Sequence, residues 1–300
     1  MTVHRLIGSP LAAIIFLVTA GTVSAQTQKE LLDELDRTIE EAESYVSAKE
    51  VRIKTIENTL HSRGVSPERQ YRIYGELFDE YQPFNYGKAV ETLDKQMEIA
   101  MLLGDKSKLN DVYLKEAMLN TAAGEFLEAR NDLARVDTTI FTKEQEIAYC
   151  NVQQRFWFDY DENLKGADKS MLRKVAYYRE RLLALADPSS SMSRYVTVRK
   201  YIDEKYFAQA DFINRHSLSR MDPASHDYAN LAYFQARICE SLNRREEMKN
   251  WFIRSAMADI KTATKDNASL FSLADALFKD GDYARAFKYS SFSLEDAIAF

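Results

Sequence analysis

Four histidines and two cysteines are the side chains of this 300-residue chain best suited to metal or nucleophilic chemistry, and their spacing supports neither. His4 and His61 stand apart, while His216, Asp222, His226 and Asp227 fall in one short segment. That quartet contains metal-ligating types, but ligand sets are defined by geometry, and this spacing reads as polar residues round a turn. No His-Glu-x-x-His, Gly-x-Ser-x-Gly, Ser-x-x-Lys, Cys-x-x-Cys or glycine-rich phosphate loop occurs. Paired carboxylates such as Glu40-Glu41 and Glu246-Glu247 fall on solvated helix faces, where nothing tunes a pKa for acid–base work. The residues therefore point to a protein that is not an enzyme, with no cofactor and no metal. Acidic residues converging in a groove, as in a helical glycan hydrolase, would be needed to reverse that reading.

What the chain offers instead is aromatic. Tyr71, Tyr74, Phe78 and Tyr81 recur at three- and four-residue steps, and the corresponding positions further along are Arg155, Tyr195, Arg199, Phe234 and Phe271. Aromatic side chains with a few arginines anchor protein and peptide interfaces. A protein or peptide ligand held in a concave groove is the expectation, and rings packed between adjacent helices are the competing one.

These positions are set by a repeat. A small residue, a Gly, an aromatic two positions later and an Ala three beyond that appear as Ala117, Gly124, Phe126 and Ala129, and again as Ala274, Gly281, Tyr283 and Ala286. Weaker copies run through Leu77, Tyr86, Ala89, through Val198, Phe207, Ala210, and through Arg237, Glu246, Lys249. A period of about 40 residues indicates stacked helix pairs, none of which can bury its apolar face alone. The double gap between Ala129 and Ala210 predicts a degenerate copy between Glu144 and Ala184. Strand signals are absent, and Pro83, Pro188 and Pro223 all sit at inferred junctions. The fold class is all-α: a tetratricopeptide-like helical-repeat solenoid, a right-handed superhelix of about six helix pairs over residues 67–300. Asp187 to Ser193 reads as a polar turn or as a hinge between two halves of the array.

Residues 1–25 have the layout of a secretory signal peptide: Arg5 near the start, an apolar run from Leu11 to Ala20 too short to span a bilayer, and Val23-Ser24-Ala25 at the cleavage position. Export to the periplasm is the expectation. Residues 26–66 read as a long N-terminal helix or helical pair, with Leu31, Leu32, Leu35 and Ile39 on one stripe. That segment would cap the first face of the solenoid or form a coiled-coil surface.

Removing the leader shifts the formal charge from −6 to −7, and the basic residues are interspersed with acids, so nucleic acid is not an expected partner of this segment. No later stretch is apolar enough to span a membrane. Cys150 and Cys239 fall on first helices two repeats apart. Packed helices lie ~8–10 Å apart, beyond the ~7 Å Cα limit for a bridge over two repeats, so two free, buried thiols are predicted. A terminal repeat needs cover. The second helix of the last unit runs to Phe300, which predicts a continuing polypeptide, a docked partner or a homodimer at that end.

The segment Ser255 to Leu270, with its Ala258-Asp259-Ile260-Lys261 core, and Leu273 to Tyr289 resemble a Bacteroidota family of exported tetratricopeptide-type proteins. That family is catalogued as a domain of unknown function and often labelled as transcriptional regulators. Leu31-Leu32-Asp33-Glu34-Leu35-Asp36, Lys49-Glu50 with Arg52-Ile53, and Phe84-Asn85-Tyr86 match its N-terminal pattern. The resemblance implies a periplasmic sensory domain that continues, in other members, into a transmembrane helix, a coiled coil and a cytoplasmic helix-turn-helix. Membrane tethering would come only through such an extension. A freestanding periplasmic scaffold, an adaptor without DNA output, is the alternative.

Overall fold

The computed structural model describes residues 27–62, 64–164 and 169–299; the leader expected over residues 1–25 lies outside them. Within the described residues the chain is all-helical, as the repeat period predicts. Two N-terminal helices, α1 (Gln28–Glu40) and α2 (Ala42–Leu60), precede six pairs: α3 (Pro67–Tyr81) with α4 (Tyr86–Leu103), α5 (Lys106–Ala123) with α6 (Phe126–Arg135), α7 (Lys143–Asn163) with α8 (Lys169–Leu185), α9 (Ser191–Asp203) with α10 (Phe207–Leu218), α11 (His226–Ser241) with α12 (Arg245–Lys261), and α13 (Ala268–Asp280) with α14 (Tyr283–Ala299). No described helix is long and apolar enough to cross a membrane.

Each repeat motif has a mechanical reason. Ala89, Ala129 and Ala210 are fully buried, each the fourth residue of its second helix, where the absence of a larger side chain lets the paired helices approach. In α12 the fourth place holds the buried Met248; Lys249, the anchor expected from the sequence, stands one place later, its stem buried and its amine on Asp280 at 2.7 Å and Glu246 at 2.9 Å. The degenerate copy is α7–α8, where Leu172 occupies the fourth place and is exposed. Ser190 caps α9 by accepting from the Ser193 amide at 3.1 Å, and Asp187 accepts from the Ser189 amide at 2.7 Å, so the 187–193 segment is a tightly bonded turn.

In four of the pairs the turn between the two helices is closed by a left-handed residue. Gly124 (φ 80°) and Gly281 (φ 87°) supply it in two units, and Lys205 (φ 62°) and Asn243 (φ 56°) stand in for glycine in two others. A β-carbon in that region costs about 1 kcal/mol or more. Lys205→Gly is accordingly expected to raise stability by about 0.5–1 kcal/mol, read as a higher urea midpoint with an unchanged slope. A lower midpoint would contradict the shared turn geometry.

Of the two N-terminal helices, α2 covers the first repeat, with Ile53, Ile56 and Leu60 in the core of α3 and α4, and α1 does not. Leu31, Leu32 and Leu35 of α1 enter the core built from α11 to α14, against Phe252, Ile253, Met257, Ile260 and Tyr289. Helix α12 is buried at Phe252 and Ile253 and from Ser255 through Ile260, positions that run round most of its circumference, and α1 provides part of that cover. Polar contacts fix the register: Arg285 bonds Asp33 (2.7 Å) and Asp36 (3.1 Å), and Tyr289 donates to Asp36 at 3.2 Å. Helix α2 then packs along α3 at the other end of the array. Its buried Lys49 donates to the Thr262 carbonyl (3.4 Å), lies 5.4 Å from the Phe84 ring centroid and faces Glu80 at 3.9 Å. The Lys265 amide donates to the Pro83 carbonyl at 2.7 Å. The first pair and the last two pairs therefore meet, with α1 and α2 laid across the join.

Candidate binding groove

The first helices α3, α5, α7, α9 and α11 turn one face each toward the inside of this curve. Two adjoining cavities run along them, of about 520 Å³ and about 430 Å³. They share Gln82, Met118, Asn151 and Met192, so together they form one groove.

The larger cavity has an aromatic and charged floor. Tyr71 is buried and donates to the Lys108 carbonyl at 3.1 Å; burial pushes its phenol pKa up. Lys115 stands 4.9 Å from the Phe78 ring centroid. Burial lowers the ammonium pKa of Lys115, while the carboxylates of Asp79 and Asp111 oppose that shift. Asp111 accepts from Gln145 Nε2 at 2.7 Å; burial nonetheless raises its pKa. Gly75 lets this floor form: a β-carbon there would lie 2.9 Å from Gln96 Nε2, which donates to the Tyr71 carbonyl at 2.9 Å.

The smaller cavity is lined by amides. Gln154 donates to Asn151 at 3.2 Å, and Asn230 lies 3.1 Å from His226 Nε2. Arg155, ion-paired with Asp159, and Tyr195, whose ring centroid is 4.9 Å from that of Phe234, complete one wall. Gln82 from α3 and His226 and Asp227 from α11 face the same space. This cavity therefore depends on the meeting of the two ends of the array.

Of the sequence-derived site residues, the structure brings Tyr71, Phe78, Arg155 and Tyr195 to the groove and leaves the others off it. The groove-facing stripe of α3 is Tyr71, Gly75, Phe78 and Gln82, in steps of four, three and four. Tyr74 and Tyr81 sit about 60–80° round the helix from it: Tyr74 packs in the α3–α4 core, and Tyr81 donates to Glu57 of α2 at 2.9 Å. Phe234 is buried between Tyr195 and Tyr233, and Arg199 stacks over Phe158 at 4.2 Å while bonding Asp203 at 3.0 Å. Phe271 is exposed beside a separate cavity between α11, α12 and α13. For Tyr74, Tyr81 and Phe234, packing between helices is the role observed.

Sequence reasoning missed Gln82, Lys115, Asn151, Gln154 and Asn230, all groove-lining. Periodicity gave little signal for them: Gln82 is the cap residue after α3, and the buried residues of α7 lie on several sides of the helix, so Asn151 and Gln154 could not be phased against one stripe. Cys150 and Cys239 are unbridged and buried, as the repeat spacing predicts, and burial pushes the Cys150 thiol up to about 11.

No curated protein matches the chain. The profile of the SusR N-terminal TPR domain matches residues 39–300, from within α1 through α14. Arrays of this type are scaffolds that bind other proteins on their helix faces. The all-helical paired architecture, the inward groove and that match together place the chain in the SusR N-terminal TPR domain family.

Proposed function

We propose that this chain is the ligand-binding, sensory part of an exported regulator, and that it holds a peptide or protein segment along the groove of α3 to α11. The observation that carries the reading is the composition of that groove. Gln82, Asn151, Gln154 and Asn230 present amides that can both donate to and accept from an extended backbone. Tyr71, Phe78 and Tyr195 offer rings for side chains between them.

Signal transmission has a structural route under this proposal. A ligand that touches Gln82 and Asn230 together binds only when the two ends of the array are joined, so it favours the joined form by its differential affinity. That form is also the one in which α1 covers α12 and bonds α14. The family resemblance and the N-terminal leader support a periplasmic location, with regulatory output carried by further parts of such a protein.

The test is a transcript profile of the native cells carrying the wild-type chain, a deletion, or the pair Asn151→Ala and Asn230→Ala. The double variant is expected to reproduce the deletion profile at unchanged protein level. A profile identical to wild type would overturn the groove as a sensory site. A profile unchanged even by the deletion would favour the adaptor without DNA output.

A further inference from the structure

Helix α14 carries a second surface, unrelated to the groove. Tyr283, Phe287, Leu294 and Ile298 are 62%, 76%, 63% and 78% exposed. They form one stripe along a helix of 17 residues, about 25 Å long. The repeat does not demand these residues: the fifth position of the second helix is Val90, Arg130, Arg173, Asp211 and Lys249 in the other units and Phe287 only here. Large apolar side chains aligned on one exposed face mark an interaction surface.

The spacing identifies the occupant. From Tyr283 the steps are four, seven and four, a series that reads the same from either end, and its centre falls between Ser290 and Ser291. An interface with two-fold symmetry is self-complementary: residue i meets j and j meets i. Two α14 helices paired antiparallel about that centre set Tyr283 against Ile298 of the partner subunit and Phe287 against Leu294 of the partner subunit. The small Ser290 and Ser291 lie at the axis, where the helices come closest. Charge follows the same symmetry. Lys288 and the exposed Glu295 share one flank of the stripe, so Lys288 of each copy comes alongside Glu295 of the partner subunit. Lys288 is anchored there already by Asp36 at 3.0 Å and Glu40 at 3.5 Å.

We infer that α14 is a homodimer seam, taking α14 of a second copy in antiparallel register. A seam of one helix per copy is smaller than a standard interface, so the dimer forms reversibly.

Sedimentation velocity of the purified chain, from about 1 to about 100 μM, tests this. The mass is expected to rise from monomer toward dimer across that range. Phe287→Asp should hold the chain monomeric, while Phe212→Asp, at an equally exposed position on α10, should leave association intact. Mild oxidation should link Ser291→Cys to itself as a disulfide dimer and leave Tyr283→Cys unlinked. Monomer at every concentration, a dimer that survives Phe287→Asp, or efficient linkage through Tyr283→Cys would each overturn the inference.

Discussion

Replacing Leu35 with Ala is expected to cost the fold about 2–5 kcal/mol, a fall of roughly 5–15 °C in melting temperature. Leu35 is completely buried, and its surroundings are residues of α11 to α14 more than 200 positions away in the chain. The cavity left by truncation cannot close by local adjustment, because α1 is held in register by Arg285 and Tyr289 through Asp33 and Asp36. Stability should therefore fall by the lost transfer energy plus the cavity cost. Urea denaturation of the variant measures it. A change below about 0.5 kcal/mol, the range of exposed substitutions, would mean that α1 is not seated on α12 to α14.

The second large effect belongs to the repeat itself. Ala129→Leu inserts three carbons between α5 and α6 at a position with no exposed surface, and overpacking of this kind costs about 1–3 kcal/mol. Leu127→Ala, two residues earlier on the exposed face of the same helix, should stay within about 0.5 kcal/mol of wild type. Thermal melts of the pair decide the matter. Equal melting temperatures for Ala129→Leu and wild type would break the register in which the fourth residue of α4, α6 and α10 faces the paired helix.

The solenoid was legible because its determinants are local. Ala129 and Ala286 mark where helices touch, Gly124 and Gly281 mark a turn that only a left-handed residue can make, and both recur at fixed offsets. Lys205 and Asn243 hid the turn from composition without removing its geometry. The anchor of α12 was hidden because Met248 fills it in place of a small residue, with the charged Lys249 beside it.

The groove was half legible. Tyr71 and Phe78 are in phase with the inward face of α3, but Tyr74 and Tyr81 share their residue type and lie on a different face. Aromatic content alone could not separate binding rings from packing rings. The seat of α2 on the first pair matches one of the two readings of the N-terminal segment, but the position of α1 was not legible. Its apolar stripe announces that something must be covered, yet which surface it covers depends on the curvature accumulated over six helix pairs. No residue in the stripe of Leu31, Leu32 and Leu35 encodes that sum. The Asp259 to Lys265 segment, distinctive in sequence, finds its physical account only here: it places the Thr262 carbonyl on Lys49 and the Lys265 amide on Pro83.

The groove runs on from the larger cavity into the smaller one only if the two ends of the array meet, and the Lys265 amide reports on that meeting directly. Native-state hydrogen exchange, resolved at residue 265, is predicted to show an amide protected well above the rate of an open loop in the wild type, with protection lost in Leu35→Ala at the same pH. Exchange of the Lys265 amide at the open-loop rate in the wild type, while the amides of α11 and α12 remain protected, would contradict the joined array and the binding groove that depends on it.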